Sequence, residues 1–311
     1  MSTLFLCLLN SNMSNSIFVI GNGLSRKDID LSKLDGLTIG CNALYRDFTP
    51  DLLCALDAGV ISEIINSGYD GPCAFTMNSW NLLPAQAYEE VTAENKWTQK
   101  NFGRNRGGSF PIVETPRGPN DDHFVFISGT AEDAYTKLNH VIWVPKKLES
   151  KIINLYASGV HWNTGTAAVE LATKDVIHPC IPNAGRIEGQ KSIYLLGFDL
   201  FSKNYDNVYA DSKNYHKEEQ MLNVRDHISW EETNIRRCEV LFRIIQRFTE
   251  IEFYWIKASA KSFEHQVTKW FAADEKIIRN EHGNLVAKHG KEFRGILKRD
   301  HIKNLHFIEE I

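Results

Sequence analysis

No Cys-x-x-Cys pair occurs in the chain, although it holds six cysteines, at positions 7, 41, 54, 73, 180 and 238. That spacing excludes zinc fingers and ribbons. The expected state is reduced, buried thiols in a cytoplasmic protein. Long hydrophobic runs are missing too. No stretch reaches the roughly 18 apolar residues of a membrane-spanning helix. The run Leu4–Leu9 is too short and has no charged segment before it. Residues 1–15 are therefore expected to be a tail, with 1–12 dispensable or upstream of a start at Met13. An excess of one charge is also absent. The 35 Lys and Arg against 39 Asp and Glu leave a net charge of -4, which excludes a whole-molecule basic field for non-specific nucleic-acid binding. Internal repeats and low-complexity tracts do not occur. Neither do Gly-x-Ser-x-Gly, His-Glu-x-x-His or the Walker A loop, which removes the common hydrolase, zinc-protease and P-loop readings.

What is present is ordinary globular composition, 43% hydrophobic and 24% charged over 311 residues, enough for one large domain with an ample core. Residues 16–20, 37–41, 52–57 and 72–77 read as short buried strands, and 60–66 between the last two as a helix. Short apolar strands alternating with helical or loop segments predict an α/β fold: a Rossmann-like, mostly parallel sheet flanked by helices. Residues 79–123 read as a long loop excursion, and 201–230 as a second. Residues 124–128 and 141–144 read as strands on either side of a short helix. Residues 162–174 and 231–248 read as helices, 191–200 and 251–256 as strands, and the charged pattern from Lys261 as helical. The resulting layout is a catalytic domain over 16–260 with inserted lid segments, and a helical extension over 261–311.

Chemistry-bearing residues fall at strand ends. Gly21-Asn22-Gly23-Leu24-Ser25 follows the first strand, where backbone N–H groups of a tight turn hold anions. The turn lacks the full dinucleotide fingerprint. Asn42 and Asp57 end the second and third strands, at the edge where open α/β sheets take ligands. Asn163-Thr164-Gly165-Thr166 opens a helix, an anion-binding position with more polar groups than one cap requires. Asp199 ends the strand over 191–200, and Tyr205, Tyr209, Tyr215, His216 and His227 follow it. Phenols stabilise a leaving phosphate, and an imidazole takes a proton from a hydroxyl.

The glycine turn, the Cys-Asn end of the second strand, Asn-Thr-Gly opening a helix, and a Gly-Phe-Asp-Leu strand end before a Tyr-rich loop stand in an order that resembles bacterial lipooligosaccharide sialyltransferases. The order also resembles related uncharacterised or pterin-pyrophosphokinase-like nucleotide-binding proteins. The resemblance spans roughly 16–260, through short motifs. It implies a CMP-sugar donor as co-substrate, no metal and no other cofactor, and inversion at the anomeric carbon. By the same resemblance Gly21, Asn22, Gly23 and Ser25 line the donor's phosphate and ribose, and Asn42 its ribose or sugar. Asn163, Thr164 and Gly165 hold base and donor, with Asp199 behind them. Tyr209 matches one phosphate-stabilising tyrosine and His227 the general base. The second tyrosine position is Phe201 here, with Tyr205 as the substitute. Asp57 stands where the family has Asn, and its charge favours a neutral sugar over an anionic one.

The expected function is glycosyl transfer from a nucleotide-activated donor to a hydroxyl of a glycan. Three alternatives stay open. One is transfer to hydroxymethylated pyrimidines in DNA, with Lys100, Arg104 and Arg106 on phosphates. Another is a Mg²⁺-dependent pyrophosphokinase using Asp57 and Asp199. The third is a nucleotide sensor without catalysis. No stable membrane insertion is expected, and assembly of identical copies is left open.

Overall fold

Strands of five apolar, largely β-branched residues need cover on both faces, and a parallel sheet between helix layers supplies it. A computed structural model describes residues 15–81, 112–113, 123–128, 140–155, 163–175, 177, 180–181, 191–200, 207–212, 214–215, 230–258, 277–279, 285–287 and 302–309. Its main sheet holds β1 (Ser16–Ile20), β2 (Leu37–Cys41), β3 (Leu52–Ala55), β4 (Cys73–Phe75), β9 (Ile152–Asn154), β10 (Ser192–Leu196), β11 (Glu252–Ile256) and β14 (Leu305–Ile308). The order is β14-β11-β10-β1-β2-β3-β4-β9, and every pairing is parallel. The chain therefore starts in the middle, builds outward through β2, β3, β4 and β9, and returns to β10 on the other side of β1. The carboxyl ends of β1 and β10 mark the topological switch point, the region where such sheets bind ligands. The expected Rossmann-like α/β class is the observed one.

Helices α1 (Ala58–Asn66), α2 (Thr164–Ala172) and α3 (Trp230–Arg247) flank the sheet. In α1, Val60, Ile61, Ile64 and Ile65 share one buried stripe. Gly68, at φ 79°, follows its end in the left-handed cap position. In α2, Ala167, Ala168, Val169, Leu171 and Ala172 are all buried, and their small size brings the helix close to β1, β2 and β3. Leu241, Phe242, Ile244 and Ile245 of α3 join the same core, which contains Ile17, Val19, Ile193, Leu195, Phe253 and Trp255. The opposite sheet face packs Phe18, Ile20, Leu53, Phe75 and Leu196 against α1.

The segments between the main strands depart from the sequence pattern in two places. The predicted loop excursion contributes strands: β5 (Met77–Asn81) and β6 (Ile112–Val113) join β7 (His123–Ser128) and β8 (His140–Pro145) in a second sheet of order β5-β7-β8-β6. Its β5–β7 and β7–β8 pairs are antiparallel. Met77 ends the strand expected over 72–77, while Ser79-Trp80-Asn81 read as polar loop because their few apolar residues signal no buried face; pairing to β7 is a long-range event. The stretch predicted to be helical from Lys261 likewise shows strands where it is described. β12 (Ile277–Arg279) and β13 (Leu285–Ala287) pair antiparallel, and β14 extends the main sheet. The short helix expected over 131–139 lies outside the described residues. No described helix is long and apolar enough to cross a membrane.

Candidate functional site

β1 and β10 end side by side, and glycine lets their turns touch. Gly21 N–H donates to Leu196 O at 2.7 Å, and Gly23 N–H to Gly197 O at 3.0 Å. A Cβ at Gly23 would lie 2.4 Å from Asp199 Cγ, and one at Gly21 2.6 Å from Gly197 O. Gly197 itself has φ 68°. These glycines serve the contact between two strand ends. The amides of Gly21 and Gly23, expected to face an anion, are spent on β10. Asp199 locks the same junction. Ser25 N–H donates to its Oδ2 at 2.9 Å, and the Ser25 hydroxyl to its Oδ1.

Asn22 points to β2. Its Nδ2 donates to Cys41 O at 3.1 Å and reaches the Tyr215 hydroxyl at 3.5 Å, while its buried Oδ1 has no partner. Buried polar atoms are nearly always satisfied, so an orphan acceptor at a strand end is unusual. Asn42 follows β2 in the left-handed region, φ 53°, a conformation Asn tolerates. Its Oδ1 accepts from the Thr164 hydroxyl at 3.0 Å. That bond ties the end of β2 to the start of α2. Asn163 caps α2 through a reciprocal capping box with Thr166, at 2.8 and 3.1 Å. The second threonine thus belongs to the cap. Gly165 lets the Phe198 ring approach, since its Cβ would meet Cε1 at 3.1 Å. The first turn of α2 carries the partial positive charge of a helix N-terminus, next to the end of β2.

Residues 207–212 and 214–215 lie across these strand ends. Val208 N–H donates to Asn22 O at 3.0 Å, and the Tyr215 hydroxyl accepts from Ala43 N–H at 3.3 Å. Arg26 and Arg46 stack on the Tyr209 ring, each guanidinium 5.4 Å from its centroid. The Arg26 Nη2 donates to the Tyr209 hydroxyl at 2.7 Å, and that hydroxyl donates to Asp47. Arg46 reaches Ser212 Oγ at 2.7 Å and Glu63 through Nε at 2.8 Å. Burial, and then the Asp47 carboxylate, raise the Tyr209 phenol above its ordinary range. Burial does the same to Tyr215. Glu63 goes the other way: burial opposes its charge, but hydrogen bonds from Tyr45, Arg46 and Asn214 outweigh it and lower its pKa.

Gly21, Asn22, Gly23, Ser25, Asn42, Asn163, Thr164, Gly165 and Asp199 thus lie at the carboxyl ends of β1, β2 and β10 and the start of α2, and Tyr209 lies beside them through Arg26. Asp57 is the exposed N-cap of α1, close enough that its charge helps raise the Tyr215 phenol. Tyr205, His227, Phe201, His216, Lys100, Arg104 and Arg106 lie outside the described residues. Sequence reasoning missed Arg26, Arg46, Asp47 and Glu63. Arg26 sits one residue past the glycine turn, which is the one signal that marks it. It also missed Asp28-Ile29-Asp30, two aspartates at the spacing of metal-bridged diphosphate sites. Asp30 is committed to capping a turn, accepting from Ser32 Oγ at 2.6 Å and pairing with Lys33 at 2.9 Å. Those bonds, Ser32 first, pull its pKa down to about 2. Among the described residues no three His, Cys, Asp or Glu side chains group to hold a metal ion. Cys41, Cys54, Cys73 and Cys238 are buried free thiols, and burial pushes that of Cys41 up to about 12. Comparison with family models, characterised proteins and solved structures finds no match.

Proposed function

We propose that the crevice binds a nucleotide-activated sugar and that the chain is a glycosyltransferase resembling the CMP-sugar-dependent lipooligosaccharide sialyltransferases. The observation that carries this reading is the convergence of Asn22, Asn42 and Thr164 at the carboxyl ends of β1 and β2, beside the switch point, joined through Cys41 O, Tyr215 and the 3.0 Å Thr164–Asn42 bond. The unpartnered Asn22 Oδ1 is an acceptor awaiting a ribose hydroxyl or a base amine. The α2 terminus favours the negative charge that grows on a leaving phosphate. In the proposed displacement, the acceptor oxygen attacks the anomeric carbon while the bond from that carbon to the phosphate oxygen breaks. The nucleoside monophosphate leaves, and the acceptor proton passes to His227. Tyr209 attends the departing phosphate, with Tyr205 as the second phenol. A glycan hydroxyl is the proposed acceptor.

The pyrophosphokinase alternative asks Asp57 and Asp199 to share a Mg²⁺ ion. Both Asp199 oxygens are engaged by Ser25, which favours the metal-independent reaction. A thermal-shift panel of CMP-, UDP-, GDP- and ADP-sugars tests the proposal. A true donor at 100 times its Kd adds about 2.7 kcal/mol. Donor turnover should persist in EDTA. Stabilisation by none of the four defeats the reading. Binding without turnover or hydrolysis over long incubation replaces it with a nucleotide sensor.

A further inference from the structure

Among the described residues Arg26 is the only buried arginine, at 4% exposure, and its partners do not use all of its donors. A guanidinium taken out of water needs its N–H groups engaged. Nη1 lies 3.3 Å from Asp47 Oδ2, and Nη2 donates to the Tyr209 hydroxyl at 2.7 Å. The buried Nε has no partner. Tyr209 in turn donates to Asp47 Oδ1. One carboxylate is thus gripped at both oxygens by a guanidinium and a phenol, a donor set that fits a phosphate equally well. Asp47 is itself 49% exposed, so water is at hand to receive it when it lets go.

We propose that Arg26 and Tyr209 form an anion seat, that Asp47 occupies it in the ligand-free chain, and that a phosphate or diphosphate of the ligand displaces Asp47 on binding. The proposal rests on the nucleotide-binding reading and assigns that ligand's phosphate a place other than the glycine turn, whose amides face β10. Arg46 and Tyr215 hold the seat in position. Arg46 backs the Tyr209 ring, and Tyr215, whose ring centroid is 5.8 Å from that of Tyr209, also meets Asn22. The seat therefore borders the crevice.

Calorimetric titration of inorganic pyrophosphate into the full chain reads the seat without any sugar donor. Asp47→Asn removes the resident charge at constant size. It should tighten pyrophosphate binding about 5-fold, the upper worth of a half-exposed ion pair. Tyr209→Phe should weaken binding about 10-fold, as loss of a hydrogen bond to a charged group does. Adding Tyr209→Phe to Asp47→Asn should erase the gain. Binding by folded Asp47→Asn no tighter than wild type overturns the proposal. Should Asp47→Asn fail to fold, unchanged affinity in Tyr209→Phe overturns it alone. A chain that shows the pyrophosphate pattern but turns over no nucleotide-sugar keeps the seat and loses the transferase. A chain that turns over a donor without that pattern loses only the seat.

Discussion

Replacing Gly23 with alanine separates two reasons for a glycine after a strand. If the residue is small only to admit a ligand, the ligand-free protein should not notice the change. The geometry says otherwise. The new Cβ would sit 2.5 Å from Asp199 Oδ2 and 2.7 Å from Gly197 O. The second of these is backbone and cannot rotate away. Overpacking of this kind costs about 1–3 kcal/mol. Moving Asp199 aside also weakens its two bonds from Ser25, each worth about 1.5–3 kcal/mol for a charged acceptor. With partial relaxation the total is about 3–5 kcal/mol. At about 2 °C per kcal/mol, the melting temperature should fall by about 6–10 °C without any ligand present. Gly68→Ala is the control. It has φ 79° and nothing within 4 Å of its Cβ. It bears only the left-handed cost of about 1–2 kcal/mol, partly offset by a less flexible unfolded chain. Thermal unfolding monitored by circular dichroism compares the two. A Gly23→Ala protein melting within about 1 °C of wild type, or no lower than Gly68→Ala, refutes the argument that β1 and β10 need glycine to meet.

Three further outcomes are expected. Asn304→Ala should cost about 2–4 kcal/mol in urea unfolding at unchanged m, because Nδ2 bonds Ile245 O, Phe248 O and Ile251 O at 3.2, 2.9 and 2.8 Å where α3 ends. Glu63 has a folded pKa below its ordinary 4.5, so its contribution is complete above that pH and is lost as pH falls through the lower value; Glu63→Gln should flatten this acid limb, and a stability profile of unchanged slope below pH 4.5 counts against it. His227→Ala should lower turnover about 10²–10⁴-fold while donor binding, read by thermal shift, holds; undiminished turnover removes His227 as the base.

Most of the main sheet, though neither β9 nor β14, was legible because its strands carry their own signal. Ile17, Val19 and Ile20 in β1 and Ile193, Leu195 and Leu196 in β10 are continuous apolar runs, which only a strand covered on both faces accommodates. Asn163 announced the start of α2 for an equally local reason: a cap bonds to amides two and three residues on. The ligand edge followed from strand order, since residues that end parallel strands share one rim. β5 and β14 carried no comparable signal. Met77–Asn81 pairs with β7 across some fifty residues, and Leu305–Ile308 with β11 across a similar gap. Such pairings depend on a partner far along the chain and leave little trace in local periodicity.

The division runs deepest at the crevice. That Gly21, Asn22, Asn42 and Thr164 belong to a rim is written in their positions after strands and before a helix, because backbone direction alone carries them there. What each atom does there was decided by neighbours in space. Gly23 faces Asp199 from a distance of 176 positions, Arg26 grips Tyr209 across 183, and both turn groups that local chemistry would offer to a ligand into contacts within the chain. A side chain's residue type limits which bonds it is able to make; the packing of distant segments selects which of them it makes, and that selection left Asn22 Oδ1 and Arg26 Nε unspent.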